Sequence, residues 1–546
     1  MRTRYALAGL LLAACYSTGE GIAPPLQKIY FPVGLAVSDD HRRMYIASSD
    51  FDLQFNAGSL QVIDLERVRE IIPVECTSDA DCRNGLKCDD GGTSASHFCV
   101  DDSGEPCGAF GDQSSGNRVL VPGRCAAVDL LNPQDGGSPI LVDAVGIGAF
   151  ATDIALTRGP DGQQRLLVPV RGESSLHYID IADDGSLECG QDASHPECDQ
   201  EHRVGTDPDQ TSRGVRMPPE PFAIAASADG EAIAVTHQTG GEVSLFVQDL
   251  QHWEFGPRLE YVTSGLPTRA LAIASVPDPA IVERERDASE ANGSLLGSGT
   301  LDPWPPGFLV GYGNAAQLDL LRFFPDSSAD PSRPYLQLSA TVALTANVVG
   351  TDTRGIAFDD AERRRCETSC ADHGDAELTD AHRQCLADCA SLPVAVYATS
   401  RSPASLLVGA TLPDTWQTPN RDVPRFYDTI PLPTGPSRVY VAPIISSQGQ
   451  IEQRVFVVCF DSRRIAVYDP IRRRIERFIT TGRGPHAMAF DWVAPDESGQ
   501  GGYSLAYIAH FTDSYVGVVQ LDARAARTYG EIVLSLAPAT APRASK

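Results

Sequence analysis

Positive charge is scarce in this chain. Lys and Arg number 44 against 72 Asp and Glu, a formal net charge of -28 over 546 residues. A surface that acidic repels phosphate backbones and anionic membranes, so nucleic-acid binding is excluded from the expected functions. Long apolar runs are also lacking. After the first fifteen residues no stretch approaches the ~20 residues a transmembrane helix needs. Catalytic signatures are missing too: there is no Gly-x-Ser-x-Gly, no His-Glu-x-x-His, no Gly-x-x-x-x-Gly-Lys-Ser/Thr and no Cys-x-x-Cys-His. No Asp-x-Asp-x-Asp-Gly calcium loop occurs, although Asp89-Asp90 and Asp101-Asp102 are acidic pairs in loops. Hydrophobic residues still make up 42% of the chain, enough for a large core.

The N-terminus has the order of a targeting signal. Arg2 and Arg4 precede an apolar stretch from Tyr5 to Ala14, which ends in Leu12-Ala13-Ala14-Cys15. This resembles the bacterial lipobox. The resemblance implies that residues 1–14 are removed and that the thiol of Cys15 carries a diacylglycerol. Tyr16, in place of an Asp, favours the outer membrane by the same resemblance, with the protein periplasmic or surface-exposed. Residues 15–29 then read as a tether, and the lipid anchor is the only expected membrane contact.

Export places the remaining cysteines in an oxidising compartment, where disulfides are the default. Cys76, Cys82, Cys88, Cys99, Cys107 and Cys125 lie in a polar segment with too little apolar side chain for a core. The segment resembles small disulfide knots of secreted proteins. Six cysteines allow fifteen pairings; Cys76–Cys88, Cys82–Cys99 and Cys107–Cys125 are taken as the working set. Cys189 and Cys198 would close a small loop. Cys366, Cys370, Cys385 and Cys389 stand at i and i+4 in two short helical segments, so each pair shares a helix face. Antiparallel packing predicts Cys366–Cys389 and Cys370–Cys385, and the pattern resembles a twin Cys-x-x-x-Cys hairpin; a four-thiolate zinc site is the rival. Cys459 is left over in an apolar strand and reads as an inert buried thiol.

A repeated grammar runs through the rest. Val33-Gly-Leu-Ala-Val37, Arg43-Met-Tyr-Ile-Ala47 and Gly58-Ser-Leu-Gln-Val-Ile-Asp64 alternate with period two. The same sequence of short strands reopens near residues 152, 222, 269, 354, 437 and 486. The steps from 222 to 269 and from 437 to 486 are 47 and 49 residues, about the length of four strands and their turns. The longer steps hold insertions, placed at about 74–126, 183–216, 280–304 and 361–392, which are expected merely to protrude. Tyr507-Ile-Ala-His510 and Val62-Ile-Asp64 resemble the motifs of YVTN-type seven-bladed propellers. The resemblance implies an all-β, seven-bladed β-propeller over residues 30–537, with disulfide-rich insertions, one small helical hairpin and a flexible tail at 538–546.

A propeller offers one natural site, the mouth of its central channel. The residues aligned at the opening of the innermost strands are Val33, Thr152, Phe222, Arg269, Arg354, Ser437 and His486, with Asp153 and Arg438 adjacent. Arg269, Arg354, Arg438, His486 and Asp153 are therefore the ligand-binding candidates. Either the arginines form an anion pocket, or each pairs with an Asp of a neighbouring blade. His237 and His510 end second strands while His486 opens a first, which is taken to set them at opposite ends. The expected function is a lipid-anchored binding or scaffold module for a protein or small anionic ligand, with no catalytic residue, metal or cofactor assigned. The alternative is a hydrolase resembling the lactonase-like propellers, whose Glu-His-Arg set is matched only in His486 and the arginines.

Overall fold

The computed structural model describes residues 21–72, 76, 78–79, 82, 87–88, 99–100, 127–133, 137–159, 162–192, 194–205, 207–212, 214–282, 305–325, 333–344, 350–370, 379–411 and 422–540. Period-two alternation becomes seven antiparallel sheets arranged as a closed ring. Their innermost strands are Pro32–Val37, Ala155–Arg158, Pro221–Ala226, Ala270–Ser275, Thr351–Asp359, Pro436–Ile445 and Pro485–Val493. These head blades one to seven.

Alternation explains the ring. In blade six, strand Ile451–Cys459 sends Val455, Val457 and Cys459 into a core shared with blade five. Phe456 and Val458, the residues between, enter the core shared with blade seven. Every pair of neighbouring blades shares such a cluster, including blades seven and one. Each fully buried aliphatic or aromatic side chain contributes roughly 1.5–3 kcal/mol. Near the axis the strands converge too closely for bulk. A Cβ on Gly34 would meet Ile154 Cγ2 at 2.6 Å, and one on Gly355 would meet Arg438 Cα at 2.8 Å.

Ring closure uses an unanticipated latch. Blade one comes wholly from the N-terminal part of the chain and blade seven wholly from the C-terminal part. Between the third and fourth strands of blade one, strand Ala127–Val128 runs out and pairs in parallel with strand Ile532–Leu536 of blade seven. Val128 and Leu130 join the shared core. Helix Leu65–Ile71, capped by Asp64, adds Leu65, Val68 and Ile71 to it, and Arg69 pairs with buried Asp491 of blade seven at 2.6 Å.

The insertions therefore do more than protrude. Cys189–Cys198 closes a loop whose Pro196 carbonyl and Cys198 amide bond Gly146 on the outer edge of blade one. That edge would otherwise be an open pairing template. Residues expected as a tether also dock: Gln61 Nε2 donates to the carbonyls of Leu26 and Lys28, and Ile29 is buried. At the other end the Thr540 amide donates to the Asp513 carbonyl, so the described part of the tail is held.

The disulfides Cys76–Cys88, Cys82–Cys99, Cys189–Cys198, Cys366–Cys389 and Cys370–Cys385 form as expected. Cys107, Cys125, Asp89-Asp90, Asp101-Asp102, the signal segment and Cys15 lie outside the described residues. Helices Ala361–Ser369 and Asp380–Ala390 make the stapled hairpin, packed on Ile281 and Val282 of the preceding insertion. The insertions of blades one, four and five all leave from the far ends of first or third strands. Among the described residues no helix is long and apolar enough to cross a membrane.

Candidate functional site: the channel mouth

One local device recurs at the start of the first strands. A residue in the left-handed region stands at the start of the first strand, ahead of it in six blades and as its second residue in blade five: Phe31, Phe150, Glu220, Arg269, Asp352, Gly435 and Gly484, with φ of 50, 63, 56, 61, 60, 79 and 67°. In all but blade five its carbonyl accepts from the amide of a residue just past the second strand, as Ser49 N to Phe31 O at 3.0 Å. In the six blades other than the second, the pairing register then slips within the next few residues, a β-bulge. Bulges re-aim side chains, and these lie where the strands meet the axis.

That register corrects the sequence alignment at one position. Val33, Phe222, Arg354, Ser437 and His486 are bulge residues as aligned, but Arg269 sits two residues early, in the left-handed ring, and Leu271 takes its place. Five rim residues keep a side chain where Gly is favoured, at roughly 1–2 kcal/mol each. Gly435-Pro436 and Gly484-Pro485, with Phe31-Pro32 and Glu220-Pro221, were the sequence signal for this turn.

Just inside the rim lie Gly34, Asp153, Ala223, Ala272, Gly355, Arg438 and Ala487. Five are small. The other two meet: Arg438 Nη1 lies 2.7 Å from Asp153 Oδ1, and Nη2 donates to the Thr152 carbonyl at 3.2 Å. Blades six and two are three steps apart, so this pair forms a bar across the channel. Asp153 holds the Arg438 guanidinium charged despite burial. The expected partner in a neighbouring blade is thus replaced by one across the axis.

His486 is beside the bar. Its Nδ1 is 2.9 Å from the Val33 carbonyl, which can only accept, so Nδ1 carries the hydrogen and Nε2 the lone pair. Burial, reinforced by the charge of Arg438 and opposed by the Val33 carbonyl, pushes its pKa down to about 3. His486 is neutral at ordinary pH and a weak base.

Arg354 is forked onto Asp352 of its own blade at 2.8 and 3.3 Å. Arg269, whose side chain is 46% exposed, reaches the same carboxylate only at 4.0 Å. Two cations therefore share one anion. Other arginines on this face have a carboxylate of their own, as in Arg171–Glu220, Arg483–Asp513 and Arg401–Asp461.

His237 and His510 also lie at this end, not the far one, because an antiparallel second strand finishes where the first begins: His237 faces Pro221 and His510 faces Pro485. Each is nevertheless locked in its own blade. His237 Nε2 is 2.8 Å from Ser244 Oγ, and His510 stacks on Tyr515 at 4.0 Å. Among the described residues, the side chains close enough to share a metal are Cys76, Cys82 and Cys99, and Cys370, Cys385 and Cys389, all held in disulfides.

Sequence reading missed the aromatic half of the mouth. Phe31, Phe51, Phe150, Phe460 and Phe511 form a linked cluster beside His486, with centroid distances of 4.9 Å for Phe31–Phe511, 5.2 Å for Phe51–Phe511 and 6.1 Å for Phe51–Phe150. Phe51 is 51% exposed. Single phenylalanines in loops carry no periodicity, so only the fold gathers them.

No family model and no curated protein matches the chain. Solved structures with a similar course include a putative 6-phosphogluconolactonase from Bacteroides uniformis (12% identity, TM-score 0.41, covering 83% of this chain and 86% of that one). A periplasmic gluconolactonase from Pseudomonas aeruginosa gives 12%, 0.40, 83% and 86%. Hydrazine synthase of Kuenenia stuttgartiensis gives 10%, 0.40, 93% and 100%. Likenesses this distant carry no argument about the chemistry of this chain.

Proposed function

We propose that the chain is a lipid-anchored, extracytoplasmic propeller that binds a small anionic ligand at this channel mouth without turning it over. The observation that carries the reading is the shared carboxylate of Asp352. With Arg354 already forked onto it, Arg269 retains exposure and an unsatisfied charge in a chain that is otherwise strongly acidic. A planar guanidinium so placed suits a carboxylate or phosphate. The lipobox ending at Cys15 and the disulfides support attachment outside the cytoplasm, and Tyr16 supports the outer membrane.

A hydrolytic reading has one favourable feature, the lone pair of His486 Nε2. A general base works best with a pKa near the operating pH, and about 3 is far below it. Asp153 is committed to Arg438 and Glu220 is paired with Arg171, so neither is free to raise the basicity of His486. Binding is the better account.

The test uses soluble protein carrying Cys15→Ser. Titration calorimetry with acetate, succinate and phosphate should detect an anion whose affinity falls about tenfold or more in Arg269→Gln, the loss expected for a charge-assisted hydrogen bond. Anion affinities unchanged by that substitution would refute the site. Lactone turnover abolished by His486→Ala would establish the hydrolase instead. In cells, labelled palmitate should enter the wild type and not Cys15→Ala; equal labelling would remove the anchor.

A further inference from the structure

We infer that the ligand of this mouth is amphipathic, with its anionic group at Arg269 and an apolar body lying across the channel on Phe51, Phe150 and Phe511. The inference rests on the anion-site reading above and names the ligand class it would take. Its basis is the unequal distribution of chemistry around one ring. The left-handed rim residues of blades one and two are Phe31 and Phe150, those of blades four and five are Arg269 and Asp352, and those of blades six and seven are glycines. Blades one and four stand on opposite sides of the axis, so the aromatic and cationic halves face each other.

The floor between them is closed. Arg438 and Asp153 follow the rim residues Gly435 and Phe150 by three positions, which sets their bar deeper than the rim, by roughly 3.3 Å per residue along the strand of blade six. A single arginine side chain bridges the channel there, so the mouth is a bowl narrow enough for one ligand to touch both walls. Phe51, in the loop after the second strand of blade one, is half exposed and in contact with Phe150 at 6.1 Å and Phe511 at 5.2 Å between ring centroids. Leu53, in the same loop, is 66% exposed. An anion alone would use Arg269 and leave this wall wet; an amphiphile removes both costs at once.

The experiment compares acetate, dodecanoate and dodecyltrimethylammonium, each below its micelle concentration, on the soluble protein, Phe51→Ser and Arg269→Gln. Dodecanoate is expected to bind at least tenfold more tightly than acetate. Phe51→Ser should abolish that chain-length gain, while Arg269→Gln should weaken both carboxylates. Equal affinity for acetate and dodecanoate would overturn the amphiphile and leave the anion site standing. Dodecyltrimethylammonium binding as tightly as dodecanoate would also overturn it, since the apolar wall would then act without the charge. Absence of binding by either carboxylate would overturn both readings.

Discussion

Arg438 of blade six and Asp153 of blade two meet across the channel axis at 2.7 Å, where every other blade presents glycine or alanine. Removing one partner strands the other in a confined site. Because both side chains keep some exposure, 20% and 12%, the cost should fall below the range for full burial. Arg438→Met is expected to lose about 2–3 kcal/mol in urea unfolding, and the double variant with Asp153→Ala about half as much. Additive losses in the cycle would mean that the two residues act independently.

Asp50 gives a pH signature. It is 2% exposed, and burial, aided by the charge of Asp52 and opposed by the amide of Phe55, pushes its carboxyl up to about 6. The folded chain then holds a proton there that the unfolded chain has released above about pH 4. Stability from this group is present at low pH and lost as pH rises through about 6. Asp50→Asn should raise stability at pH 7.5 by on the order of 1–2 kcal/mol, after discounting for solvent screening, and change it little at pH 4.5. Calorimetric melting at both pH values decides this; an equal shift at both would dissociate the effect from ionisation.

Cys459 should be chemically silent. It is fully buried, and burial pushes its thiol up to about 12. Iodoacetamide at pH 8 is expected to leave it unmodified in the native protein and to alkylate it in denaturant. Native labelling found by peptide mass spectrometry would contradict its placement between blades five and six.

The stapled hairpin should fail locally. Its small core of Ile281, Val282, Leu386 and Ala390 is separate from the interblade clusters. Replacing Cys370 and Cys385 by Ser opens a loop of fifteen residues, worth roughly 3 kcal/mol. Hydrogen exchange should accelerate in residues 361–369 and 380–390 and stay unchanged in the blades. The latch should behave oppositely. Leu130→Ala, in the core that closes blade seven on blade one, is expected to lower the main unfolding transition by about 2–3 kcal/mol. A purely local effect of that variant would show that the ring closes without the latch.

The sequence alone determined the number of blades, their order and the positions of most strands. Those features depend on local alternation and turn residues, which neighbouring positions encode. It also determined Cys189–Cys198, Cys366–Cys389 and Cys370–Cys385, because a short loop and two helix faces leave few partners within reach, whereas Cys76–Cys88 and Cys82–Cys99 were one choice among fifteen pairings. What it could not carry was anything set by convergence on the axis. The two-residue displacement of Arg269, the shared end of His237, His486 and His510, the bar between Arg438 and Asp153, and the aromatic wall all join residues far apart in the chain. The latch of Ala127–Val128 on blade seven belongs with them. A strand's pattern specifies which face is buried, but the bulge that re-aims its first residues, and the side chain that then meets it across the channel, exist only once seven sheets have closed.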